Sequence, residues 1–78
     1  MLAIIFTTLF FGWNQLMGWG VPAADYAATH SECSWVSIFD WQPETQTYDA
    51  WYSNGPEWAN DFDYMEWGEG YWVYCGAP

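Results

Sequence analysis

Polarity along this chain follows a period of two more often than a helical period, and its apolar runs are bounded by breaks rich in glycine, proline and amides. From Ile4 to Phe11 the side chains are almost all β-branched or aromatic, a composition that favours strand. Apolar groups fall on both faces there, so such a strand must be covered on both sides. The apolar pattern continues through Trp13, Leu16, Met17 and Trp19 and breaks at residues 18–22, where glycine and proline mark a loop. Residues 23–32 hold a cluster of alanines and predict one or two helical turns ending before Cys33. Over residues 34–41, Trp35, Ser37, Phe39 and Trp41 alternate with Val36, Ile38 and Asp40, which predicts a strand with one ring-rich face. Residues 42–46 have turn chemistry and residues 47–52 are again aromatic and β-branched. The two runs predict a β-hairpin across a loop of about five residues, held in register by cross-strand ring pairs. A second turn at 53–56 leads into an irregular stretch or single helical turn over 57–70, and residues 71–75 close the chain as a last strand.

Composition then sets what such a fold must accommodate. Aromatic residues make up 24% of the 78, with 8 Trp, 6 Tyr and 5 Phe. One small domain cannot enclose so many rings, so some face outward or face a partner. Glycines stand beside several of them, at Gly12, Gly18, Gly68 and Gly70; removing a Cβ relieves crowding against an indole and permits a bend. That pairing predicts that Trp13, Trp19, Trp41, Trp51 and Trp72 stack inward as core.

Charge narrows the partners. Ten carboxylates face no Lys or Arg, for a net charge of −10. DNA, RNA and anionic lipid are excluded, because these are held chiefly by Lys and Arg on phosphate. Below about pH 3 most carboxylates are protonated, and a chain without basic side chains is then nearly neutral. Copies of it can pack together in acid without repulsion. Proteases that cleave after Lys or Arg also find no site, and both traits suit an extracellular or acid-exposed structural protein.

Cys33 and Cys75 are the only cysteines and form no CxxC or CxxCH pattern. A disulfide is the simplest account. It closes a loop of about 40 residues and is worth around 4 kcal/mol in the chain-entropy model, and it implies an oxidising compartment. The alternative is a pair of reduced, buried cysteines in a cytosolic chain. The apolar N-terminus has the length of a signal-peptide core but lacks a positive flank, so it is expected to belong to the mature chain. It also falls short of the roughly 20 apolar residues of a membrane-spanning helix.

Three stretches carry a family resemblance: FFGWNQLMGWG at residues 10–20, VSIFDWQPETQTYDAWY at 36–52, and GPEWANDFDYMEWGEGYWV at 55–73. Together they resemble a small β-rich domain of bacterial and archaeal cell-surface proteins. In that family a Gly-Trp-Asn strand, a Trp-Asp…Thr-x-x-Trp hairpin and a Gly-x-Gly-Tyr-Trp strand recur in order. The resemblance implies surface display, a compact β fold and no enzymatic activity. Two features depart from the family pattern. Three residues, Gln15 to Met17, separate Gly-Trp-Asn from Gly-Trp where two are usual, which predicts a β-bulge, and the usual basic residues are missing.

Other constellations are weak. Asp61, Asp63, Glu66 and Glu69 lie close in sequence but lack the Gly and Glu positions of an EF-hand loop, and read as a solvated acidic loop. His30 with Cys33 and Cys75 falls short of the four ligands of a structural zinc site. No Gly-x-Ser-x-Gly elbow supports a serine nucleophile. No catalytic residue, metal or cofactor is therefore assigned. Trp58, Tyr64 and Trp67, with acids and amides nearby, are candidates for stacking on a sugar ring, although Trp and Tyr are equally the residues of a subunit interface.

The expected fold is all-β: a small single-domain β-sandwich or open barrel over residues 1–78, with a disulfide and at most one short helix. The expected function is that of an extracellular structural protein, a self-assembling subunit of a surface filament or layer whose partner is itself. A cell-surface carbohydrate-binding module, with polysaccharide as partner, is the alternative. Self-association is expected to use Ile4, Ile5, Phe6, Leu9, Phe10 and Phe11, with residues 1–8 added as a strand to an adjacent subunit.

Overall fold

The structure, a computed structural model, describes residues 9–77. Its elements run β1 (Gly12–Met17), β2 (Val21–Pro22), α1 (Ala23–Ala28), β3 (Val36–Gln42), β4 (Thr47–Tyr52), a 3-10 turn (Glu57–Ala59), β5 (Tyr64–Met65) and β6 (Gly70–Cys75). Among the described residues, the expected strand-rich fold with one short helix is what the chain forms. A four-stranded sheet has the order β1-β6-β3-β4, and a second sheet pairs β2 with β5. All pairings are antiparallel. The inter-subunit strand expected over residues 1–8, with Ile4, Ile5 and Phe6, lies outside the described residues.

Strand alternation sorts the large sheet into two unlike faces. On one, the register aligns Gly12, Cys75 and Val36, then Asn14, Val73, Ile38 and Trp51, then Leu16 with Tyr71. Val36, Ile38, Trp51, Tyr71, Val73 and Cys75 are buried there, packed with Leu9, Ala23 and Met65. The small sheet and α1 thus supply the covering layer. Six residues are too few for a helix to stand on propensity; α1 is held because Ala23 is fully buried and Tyr26 and Ala27 pack on the core.

Cys33 and Cys75 form the expected disulfide, with Cα atoms 5.2 Å apart. Backbone bonds run beside it from Ser34 N–H to the Gly76 carbonyl and from Gly76 N–H to the Trp35 carbonyl, each 2.8 Å. The crosslink therefore pins the end of β6 to the start of β3, next to the core.

Three local expectations are corrected. β1 pairs with β6 through six consecutive partners, Gly12↔Cys75 to Met17↔Gly70, so no bulge lies between Gly12 and Met17. Just past the ladder, Gly18 N–H donates to the Glu69 carbonyl at 2.7 Å and the Gly18 carbonyl accepts from Gly68 N–H at 3.0 Å, and a Cβ there would collide with the Glu66 carbonyl. The hairpin loop is one residue shorter than expected, because β3 extends through Gln42 to pair with Thr47. Finally, of the five indoles expected inside, only Trp51 is buried; Trp13, Trp19, Trp41 and Trp72 are exposed. Two apolar phases compete for the core on these strands, and the branched aliphatics Val36, Ile38 and Val73 occupy it. Their neighbours in sequence must then point the other way.

Candidate interaction face

No layer among the described residues covers the second face of the large sheet. The register places Trp13, Tyr74, Ser37 and Tyr52 in one row and Gln15, Trp72, Phe39 and Ala50 in the next. Trp41 stands beside Tyr48 at the β3–β4 end, and Met17 lies opposite Gly70. Exposures of 58% for Trp13, 44% for Trp41, 49% for Tyr48 and 39% for Trp72, taken with roughly 150–250 Å² per aromatic side chain, leave about 450 Å² of open ring surface. A patch of this size falls within the roughly 300–600 Å² of the largest patch on a typical monomer, which is often functional.

The rings hold one another in place. Trp13 is central, with centroids 5.4 Å from Phe39, 5.1 Å from Tyr74 and 6.3 Å from Trp72. Most pairs are steep: 80° for Trp13–Tyr74, 88° for Trp13–Trp72, 86° for Phe39–Tyr48 and 62° for Trp41–Tyr48. Trp35 is instead parallel to its neighbour, stacked on Tyr74 at 18°, and covers the backbone of Gly76, where a Cβ would strike the indole. The surface is therefore a herringbone of ring edges and faces. Between the rings runs a groove of about 570 Å³ lined by Trp13, Phe39, Tyr48 and Trp72, and a second of about 460 Å³ reaches toward Trp35, Tyr52 and Asn54.

All ten carboxylates lie elsewhere. Asp40 and Asp49 sit on the core side, directly opposite each other, and the rest are on α1 and in the connections. One Asp40 carboxyl oxygen is buried without a hydrogen-bond partner. Its pKa is pushed up to about 7, first by burial, then by the hydrogen bond and charge of Glu69, with Asp49 adding repulsion and Gln42 opposing. Glu32 behaves in the opposite way. It accepts from Leu9 N–H at 3.0 Å and meets His30 Nδ1 at 2.8 Å, and these bonds, His30 first, hold its carboxyl down to about 2. Among the described residues no set of three or more His, Cys, Asp or Glu is arranged to hold a metal ion, and no helix is long and apolar enough to cross a membrane.

The residues singled out from sequence are dispersed. Tyr64 and Trp67 flank Gly20, where the Tyr64 hydroxyl donates to the Gly20 carbonyl at 2.7 Å and Trp67 packs edge-on against Trp19 at 5.3 Å. Trp58, 86% exposed, stands apart on the 3-10 turn. Leu9 is buried in its own domain, while Phe10 and Phe11 are exposed beside it. The Asn14 side chain fastens this approach to β1, accepting from Phe10 N–H at 3.0 Å and donating to its carbonyl at 2.8 Å.

Sequence reasoning missed the face as a site, although the alternation at Trp35, Ser37, Phe39 and Trp41 displayed it. The usable signal was the opposite phase, Val36 and Ile38 with Val73, which packs better in a core than rings do. Comparison with protein-family models, curated proteins and solved structures finds no match to this chain.

Proposed function

We propose that this protein is an extracellular structural protein, a self-assembling subunit of a surface filament or layer, with no enzymatic role. The observation that carries the reading is the uncharged aromatic face on a chain that is otherwise strongly acidic. Buried ring surface is the main source of association energy in subunit contacts. The disulfide supports an oxidising, extracellular setting, and the likeness of the three sequence stretches to cell-surface domains points the same way.

Carbohydrate binding fits the open face less well. Sugar rings stack on a flat aromatic platform and need polar partners for their hydroxyls, whereas these rings meet one another at steep angles and share no common plane. The groove of about 570 Å³ is lined by Trp13, Phe39, Tyr48 and Trp72, whose hydrogen-bonding tips are two indole N–H groups, which only donate, and one phenol hydroxyl. Electron microscopy of the purified full chain at pH 4 and pH 7 tests the reading. Ordered filaments or sheets are expected; dispersed particles at every concentration and pH would remove it.

A further inference from the structure

We propose that the aromatic face of one copy packs on the same face of a second copy, closing two four-stranded sheets into a sandwich about a two-fold axis. This rests on the self-assembly reading and names the surface that carries it.

Charge selects the occupant. Every copy bears −10 and has no Lys or Arg, so two copies repel wherever carboxylates face each other. The rows Trp13–Tyr74–Ser37–Tyr52 and Gln15–Trp72–Phe39–Ala50 contain no charge. This face lets two copies meet without burying an unpaired carboxylate.

Area agrees. Adding the partly exposed Phe39, Tyr52, Tyr74, Trp35 and Met17 to the four open rings gives roughly 600–700 Å² per copy, or about 1,200–1,400 Å² for a pair, within the 1,200–2,000 Å² of stable interfaces. Ring geometry agrees too. A herringbone of edges and faces is matched by another herringbone, since aromatic pairs favour edge-to-face contact, and sheets facing at about 10 Å interdigitate such side chains.

The β4 edge is blunted against the competing mode of strand addition. Asp61 N–H donates to the Ala50 carbonyl at 2.8 Å, the Asp61 carboxylate accepts from Ala50 N–H at 2.9 Å, and Asn60 accepts from Tyr52 N–H at 2.8 Å. Those backbone groups have partners within the chain. A self-complementary patch closes on itself, so the pair is the building unit and a different contact joins pairs into a larger array.

Sedimentation equilibrium of the full chain tests this with Gln15→Glu, which puts a carboxylate on an exposed position of the face without touching the core. The pair is expected to weaken at least about 100-fold, with native circular dichroism and the disulfide retained, because a buried unpaired charge is strongly unfavourable. Trp72→Ser provides a second, uncharged variant with the same expected direction. Off-face Trp58→Ser and Trp67→Ser are expected to leave pairing intact. Unchanged pairing in both face variants overturns the face contact while self-association stands. A wild-type chain that stays monomeric at all concentrations overturns both.

Discussion

Replacing Asp40 by Asn should stabilise the fold at neutral and alkaline pH and flatten its dependence on pH. Asp40 lies on the core side of β3 opposite Asp49, with one buried oxygen unpartnered and Glu69, Gln42 and Tyr71 among the groups that act on it or feel its charge. Its folded pKa of about 7 stands above the ordinary 3.8. Between these values the folded chain holds a proton that the unfolded chain has lost. Stability therefore falls as pH rises through this window and reaches its lower plateau above about pH 7. A rise from 3.8 to about 7 corresponds to roughly 4 kcal/mol at 1.36 kcal/mol per unit. Because Asp40 is only partly buried, solvent screening reduces this to about 1–2 kcal/mol. The asparagine keeps a donor for Glu69 and removes the charge. Thermal melts from pH 4 to 8, run in the uncharged Trp72→Ser background to suppress pairing, should show the Tm of the chain with Asp40 falling by about 5–15 °C across the window and that of the Asp40→Asn chain changing far less. Equal slopes in the two proteins would refute the assignment of the proton to Asp40.

Below pH 4.5 Glu32 takes over with the opposite sign: its lowered pKa contributes stability that is lost as pH falls toward 2, so melts of the wild type should peak near pH 4–5, and Glu32→Gln should abolish the acid decline. Gln46 holds φ at +56° in the hairpin loop, so Gln46→Gly should raise stability by about 0.5–1 kcal/mol in urea titration, with no gain expected if the loop relaxes to another turn. Replacing Cys33 and Cys75 together by Ser should cost about 2–5 kcal/mol, checked by denaturation against the oxidised wild type. Intact mass of the untreated protein should lie two hydrogens below that of the reduced chain.

Much of the fold is legible in the sequence because local rules and packing agree there. Turn residues around 42–46 fix the β3–β4 hairpin, the alanines of 23–28 give α1, and the even cysteine count gives the crosslink. The short β2–β5 pair is not legible. Val21–Pro22 and Tyr64–Met65 carry no alternation, and their pairing depends on long-range contacts, such as Ala23 N–H donating to the Asp63 carbonyl at 2.9 Å. The interaction face was visible as a pattern but misplaced. Trp13 and Trp72 are the largest residues on their strands, yet Val73, Ile38 and Tyr71 fill the limited space beneath the sheet. Hydrophobicity alone does not say which of two apolar phases faces in; the size of the covering layer does, and here a six-residue helix and two two-residue strands leave no second cover among the described residues.

The central claim, that this chain exists to associate with itself through an uncharged aromatic face, is met most directly by the mass of the wild-type protein in solution as a function of concentration and pH. Sedimentation velocity from about 1 nM, with fluorescence detection, to about 1 mM, a range that spans much of the μM-to-pM affinity of interfaces of this size, should show the 9.1 kDa chain passing to twice that mass and then to larger species. The transition should move to lower concentration at pH 4, where fewer carboxylates repel. A single 9.1 kDa species at every concentration and both pH values would contradict the account.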